Sequence, residues 1–133
     1  MNPEYVAGFF DGEGWVGINK CGSKYYAVRV EVSNTNPMII KEIHEVFGGH
    51  LRTKQPRINW KPQTTVRLSA GEAEKFLRWI KPFARMKREH ISLALMFIEL
   101  TNSNKLSVTD KEGFKDKMHL LNRRGVEDGH TAG

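Results

Sequence analysis

Apolar positions along the chain follow two alternating periods. Val6, Phe9 and Phe10 recur at helical spacing, after which Val16 and Ile18 alternate with Trp15, Gly17 and Asn19. Val28, Val30 and Val32 then alternate with Ala27, Arg29, Glu31 and Ser33. A spacing of three to four marks one face of a helix, and a spacing of two marks a strand buried on one side. The first stretch therefore predicts a helix and the next two a hairpin, with Cys21-Gly22-Ser23-Lys24 as its loop. The same pair of periods then repeats. Ile39, Ile40, Ile43, Val46 and Phe47 form a helical stripe, followed by Leu51 on one strand and Val66 and Leu68 on another. In that second hairpin Arg52, Lys54, Thr65 and Arg67 fall on the opposite face.

Boundary residues agree with the periods. Asn2-Pro3-Glu4 and Asn36-Pro37 each put a capping side chain before a proline in the first turn. Gly12-Gly14 and Gly48-Gly49 mark the two helix ends. Ser69-Ala70-Gly71-Glu72 reads as a capping box opening a helix with Phe76, Leu77 and Ile80, which Lys81-Pro82 interrupts. A further helix is expected from about Lys87 to Leu100, and a weakly apolar one from Thr109 to Asn122, with a frayed tail after Gly125. The order is α-β-β-α-β-β-α-α(-α), with the helix–hairpin unit occurring twice, at Pro3–Asn34 and Pro37–Ser69. An α+β fold follows, in which a four-stranded antiparallel sheet has helices on its apolar face and its polar face open to a partner.

Composition narrows the class. The chain has 133 residues, one domain by size, with 39% apolar and 27% charged residues, as in soluble globular proteins. No apolar run approaches the roughly 20 residues of a membrane span, and no secretory signal follows Met1. A cytoplasmic (bacterial, phage or archaeal) or organellar protein that is not secreted is expected, as is a free-standing chain beginning at Met1. The single cysteine, Cys21, excludes an internal disulfide framework and a cysteine-based zinc site. Charge changes the picture more. The net charge is +6, and no acid occurs between Glu45 and Glu72, a segment that holds Arg52, Lys54, Arg57, Lys61 and Arg67. A second basic cluster follows at Lys81, Arg85, Lys87 and Arg88. A basic open sheet face points to nucleic acid.

The chemistry concentrates in Tyr5–Ile18, YVAGFFDGEGWVGI. GEGWVG fits the dinucleotide pattern G-x-G-x-x-G, but that fingerprint requires a strand first and a helix after. Here the helix precedes the strand, so its negative C-terminal end would face a phosphate and repel it. The same end suits a cation: exposed carbonyls beside Asp11 and Glu13 are hard oxygen donors of the kind Mg²⁺ takes. A purely local role, in which Gly12 and Gly14 release the chain and Asp11 caps it, fits these residues as well. Two carboxylates two apart in one turn are badly placed to flank a glycosidic bond, which excludes a glycosidase. Gly8 and Gly12, four residues apart, leave one helix face almost without side chains, so a second backbone can approach closely. His44 and His90 fall on helices and are read as ordinary surface or core residues.

Val6-Ala7-Gly8-Phe9-Phe10-Asp11-Gly12-Glu13-Gly14 resembles the signature nonapeptide of the LAGLIDADG homing endonucleases. Tyr5, the following Trp-Val-Gly-Ile, Val32-Ser33-Asn34, Phe47-Gly48-Gly49, Ile80-Lys81-Pro82-Phe83 with Lys87, the Leu93–Leu100 helix and Leu121-Asn122-Arg123-Arg124-Gly125 are similar to that family too. The resemblance implies an αββαββα fold with a curved sheet, one domain over 1–125 and a flexible tail over 126–133. It also implies metal-dependent double-strand cleavage of a long, near-palindromic DNA target. One copy of the motif implies a homodimer, with Gly8, Gly12 and Asp11 at the interface and Asp11 steadying neighbouring loops. Glu13 and the Gly12 carbonyl would hold Mg²⁺ or Mn²⁺, with no small-molecule cofactor. Lys87 would sit at the periphery of the catalytic site and Asn34 near the catalytic water. Alternation nominates Asn19, Arg29, Glu31, Arg52, Lys54, Thr65 and Arg67 as the DNA-reading set, with Arg57 and Lys61 at the second hairpin. An RNA maturase or a catalytically silent DNA-binding regulator on the same scaffold, and an unrelated basic binding module, are the alternatives.

Overall fold

A computed structural model describes residues 1–55 and 57–132, with side chains described through Arg124. Asn2 caps helix α1 (Pro3–Glu13), its Oδ1 accepting from the amides of Glu4 at 2.8 Å and Tyr5 at 3.3 Å. Strands β1 (Gly14–Lys20) and β2 (Tyr26–Asn34) follow directly. Helix α2 (Pro37–Phe47) repeats the cap with Asn36. It ends at Gly48 and Gly49, whose φ of 87° and 85° only glycine adopts without strain. Strands β3 (His50–Lys54) and β4 (Gln63–Ser69) complete the second hairpin. Helix α3 (Gly71–Ile80), a 3₁₀ turn (Lys81–Phe83), α4 (Arg88–Asn102) and α5 (Val108–Ala132) form the C-terminal half.

The strands make one antiparallel sheet in the order β1-β2-β4-β3, so the two hairpins join through β2 and β4. The register aligns Val16 with Val30, Val30 with Leu68, Val32 with Val66 and Leu51 with Val66. The strand valines expected inward, Val16, Val28, Val30, Val32 and Val66, are all buried, whereas Val46, expected on the apolar stripe of α2, is exposed. Helices cover that face. Val6, Ala7 and Phe10 of α1, Ile40 and Ile43 of α2, and Phe76, Leu77 and Ile80 of α3 are all fully buried. Phe76 anchors this layer, taking Phe10 edge-on at 5.5 Å and Phe47 at 5.2 Å between ring centroids.

Two local expectations are corrected. Ser69 does not cap α3. It is still paired with Arg29 in the sheet, so its side chain belongs to the open face, and Ala70 (φ 52°) is the capping residue without a side-chain bond. Glu72 reaches back alone, accepting from Ser69 N at 3.4 Å and, across the fold, from Gly49 N at 2.9 Å. The last helix starts at Val108, close to the expected Thr109, but runs to Ala132 instead of ending near Asn122. Its start is a reciprocal cap: Asp110 N donates to Ser107 Oγ and Ser107 N to Asp110 Oδ2, both at 3.0 Å. The expected tail, 126–133, lies outside the residues whose side chains are described. Helix α5 lies along edge strand β1, where Asn122 Nδ2 donates to Val16 O at 3.0 Å. It is thus a cover for an otherwise unpaired edge.

Candidate active site and nucleic-acid interface

The two acids of the motif separate cleanly by partner. Asp11 is half-buried, and its carboxylate accepts from Arg85 N at 2.9 Å and Lys87 N at 3.0 Å. Both oxygens are therefore committed to backbone amides 74 and 76 residues away. Glu13, the last residue of α1, is exposed and makes no hydrogen bond or ion pair among the described residues. Phe10 O takes the Gly14 amide that closes the helix, so the carbonyls after it sit at the helix end. Among the described residues no three His, Cys, Asp or Glu side chains gather into a closed metal site. One free carboxylate beside a helix-end carbonyl is instead an open, all-oxygen donor set. Such a set fits Mg²⁺, which keeps several waters and shares its ligands with phosphate.

Lys87 is half-buried and forms the N-cap of α4, so Asp11 ties its backbone to the end of α1. Asn34 ends β2 at the same end of the sheet as Gly14, one pairing step beyond Ser33. Its Oδ1 already accepts from Asn36 N at 2.8 Å, which shapes the entry to α2 and leaves its NH₂ without a partner among the described residues. His44 Nδ1 lies 3.0 Å from Gly48 O at the end of α2. His90, in the first turn of α4, is buried, with Nδ1 unpartnered among the described residues. Its pKa is lowered from the ordinary 6.5, first by burial and then by the Lys87 charge.

Gly8 and Gly12 are exposed, and no atom lies within 4 Å of where a Cβ would stand on either. The bare face of α1 is therefore open. Beside it runs a recess lined by Glu4, Gly8, Asp11, Pro82, Phe83, Arg85 and Arg88. Gly14, in contrast, faces inward, where a Cβ would collide with the Phe10 ring.

The opposite sheet face carries every strand residue nominated for DNA. Register places Asn19, Arg29, Glu31, Thr65, Arg67, Arg52 and Lys54 on it together. Four cations share this face with one acid, and that acid is engaged: Arg67 Nε donates to Glu31 Oε1 at 3.0 Å. Ser33 Oγ and Thr65 Oγ1 are hydrogen-bonded at 2.6 Å on the same face. Arg57 and Lys61 are off the strands, exposed in the β3–β4 connection. Sequence reasoning left His50, Gln63 and Ser69 out of the set, although the register puts them on the same face as Arg29; Trp15, where the reading surface was expected to begin, lies there too. Trp15 lies opposite Glu31, and its ring folds over Gly17, filling the place of that residue's missing side chain.

No family model and no curated sequence matches the chain. Solved structures do. I-CvuI, a homing endonuclease in complex with the I-CreI target, superimposes with a TM-score of 0.70 at 23% identity, over 90% of this chain and 80% of that one. The archaeal intron-encoded homing endonuclease I-Vdi141I, complexed with DNA, gives a TM-score of 0.68 at 16% identity, over 91% and 82%. The LAGLIDADG homing endonuclease I-GzeII, in complex with its DNA target, gives 0.65 at 16% identity, over 91% of this chain and 43% of that one. This chain has the LAGLIDADG homing-endonuclease fold. Within that fold the motif helix is α1, its bare face is open, and its end runs directly into the first strand of the basic sheet. At these identities the likeness is one of architecture.

Proposed function

We propose that this protein is a LAGLIDADG endonuclease, acting as a homodimer that makes metal-dependent double-strand breaks in a long, near-palindromic DNA target. One observation carries the reading: the single uncommitted carboxylate of the motif, Glu13, stands where a bare helix face meets an open basic sheet. The sheet binds duplex in its major groove, where alternate side chains such as Arg29, Arg52 and Arg67 reach base edges and Lys54 reaches backbone. Gly8 and Gly12 let the α1 helices of two copies touch, which sets one Glu13 beside each scissile phosphate. Glu13 and the Gly12 carbonyl would hold a divalent cation, Mg²⁺ or Mn²⁺. When bound, it polarises the phosphate and stabilises the leaving oxygen. I-CvuI has been solved with DNA in the presence of Mg and of Ca, which supports a divalent ion for this fold. Asp11 fixes the segment carrying Lys87 against the end of α1, so that its charge offsets negative charge developing on the phosphate. Asn34 uses its NH₂ to orient the attacking water.

The test is Glu13→Gln, which keeps shape and removes charge. Cleavage of a randomised duplex library in Mg²⁺, read by sequencing the cut ends, is expected to vanish, while binding in Ca²⁺ stays within about twofold. Equal loss of binding and cleavage assigns Glu13 a structural role and refutes the mechanism. A wild-type protein that binds duplex but cuts no sequence is the silent regulator instead.

A further inference from the structure

The largest apolar exposure in the described structure lies at the tip of the second hairpin, in the 55–62 segment. Ile58 is 92% exposed and Trp60 54% exposed. A lone exposed aliphatic is unremarkable on any surface. Two large ones within three residues, on a turn built to hold them, are not. Gln55 Nε2 donates to Ile58 O at 2.7 Å and to Trp60 O at 3.0 Å, and Trp60 N donates to Arg57 O at 3.1 Å. The Arg57 guanidinium sits 4.8 Å from the centre of the Trp60 ring, fixing the indole in place. Lys54 pairs with Gln63 as the last rung of the β3–β4 ladder, so the tip overhangs the sheet.

We infer that Ile58 and Trp60 form an apolar wedge that enters the minor groove of duplex DNA, next to the major-groove segment gripped by the sheet. The inference rests on the DNA reading above. Charge identifies the occupant. The wedge is flanked by Arg52, Lys54, Arg57 and Lys61, within a 26-residue segment free of acid. A second copy meeting this tip with its own would bring the same cations against it, and a polyanion relieves them. Four residues beyond the last rung reach at most about 13 Å, the scale of one sugar–phosphate strand. Apolar side chains entering there pack on sugars and base edges and partly part a base step. Arg57, already over the indole, is left to hold the phosphate beside it.

Counterion release separates an apolar contact from a phosphate contact. Binding of an A·T-rich duplex of about 40 base pairs is followed by fluorescence anisotropy in Ca²⁺ across a salt series. Ile58→Ser, at a site too exposed to threaten folding, is expected to weaken binding about five- to tenfold with the salt slope unchanged. Lys61→Gln is expected to flatten the slope by about 0.9. Netropsin, which fills A·T minor grooves, is expected to abolish the difference between wild type and Ile58→Ser. Unchanged affinity in Ile58→Ser overturns the wedge alone, and a difference that persists with netropsin bound overturns its placement. A sedimentation change in the DNA-free variant shows that the tip covers another copy and also overturns the wedge. Wild type that binds no duplex at any salt refutes the DNA reading together with the wedge.

Discussion

Replacing Gly8 with alanine adds one methyl to the open face of α1, and its effect on stability reverses sign with oligomeric state. Gly8 lies mid-helix, and nothing stands within 4 Å of the new Cβ. In an isolated chain the substitution only removes glycine's excess freedom in the unfolded state, which stabilises the fold by about 0.5–1 kcal/mol. Unfolding entropy for 133 residues is about 280 cal/mol/K near 60 °C, so Tm should rise by about 2–4 °C. In the proposed dimer each methyl meets its mate across the twofold axis, and overpacking costs about 1–3 kcal/mol per site. Two sites then weaken the dimer by at least about 2 kcal/mol, or roughly 30-fold in dissociation constant. Sedimentation velocity over a concentration series measures the second effect, and thermal melts at low concentration measure the first. A raised Tm with an unchanged dissociation constant would remove α1 from the interface. Gly14→Ala is the control: its Cβ collides with Phe10 in the core, so it should destabilise by about 1–3 kcal/mol whatever the oligomeric state.

Asp11→Ala strands two amides, Arg85 N and Lys87 N, and should cost about 2 kcal/mol in urea unfolding; a loss below about 0.5 kcal/mol would mean that the tie is dispensable. The lowered His90 pKa means that the unfolded chain binds the proton more tightly. Stability from this group is thus present above pH 6.5 and is lost as pH falls from there through the folded value. The Tm gap between wild type and His90→Leu should therefore change between pH 7.5 and pH 5.5, and a constant gap refutes this. Tyr26 donates to Glu112 on α5, and that bond, followed by burial and the acid's charge, pushes its phenol from 10.0 up to about 12. Here the stabilisation is complete below pH 10 and fades as pH rises toward 12. Spectrophotometric titration of the native protein should show a late phenol step near pH 12, which Tyr26→Phe should remove.

Much of the molecule was legible locally. The two Asn-Pro starts, the Gly48-Gly49 end and the odd–even split of Val28 to Ser33 all depend on neighbours within a few residues, which a sequence displays directly. Ser69-x-x-Glu72 misled because the same local pattern competed with a sheet rung to Arg29, and the rung prevailed. The site was legible in part. Spacing nominated Asp11 and Glu13 as a pair without saying which was spoken for. Spacing also missed Gln63 and Ser69 on the open face, because uncharged polar side chains carry no charge signal.

What the sequence determined by itself was the set of elements, their amphipathic faces and an acid-bearing helix end beside a basic strand face. What only tertiary structure decided are contacts between distant segments. These are the β2–β4 junction that merges two hairpins into one face, the Asp11 amides from residues 85 and 87, and the Asn122 bond that seals β1 from 106 residues away. The physical reason is the same in each case. Periodicity and capping are governed by backbone geometry over one or two turns. The partner of an unpaired edge or a free carboxylate is chosen by whichever donors the packed core brings within 3 Å.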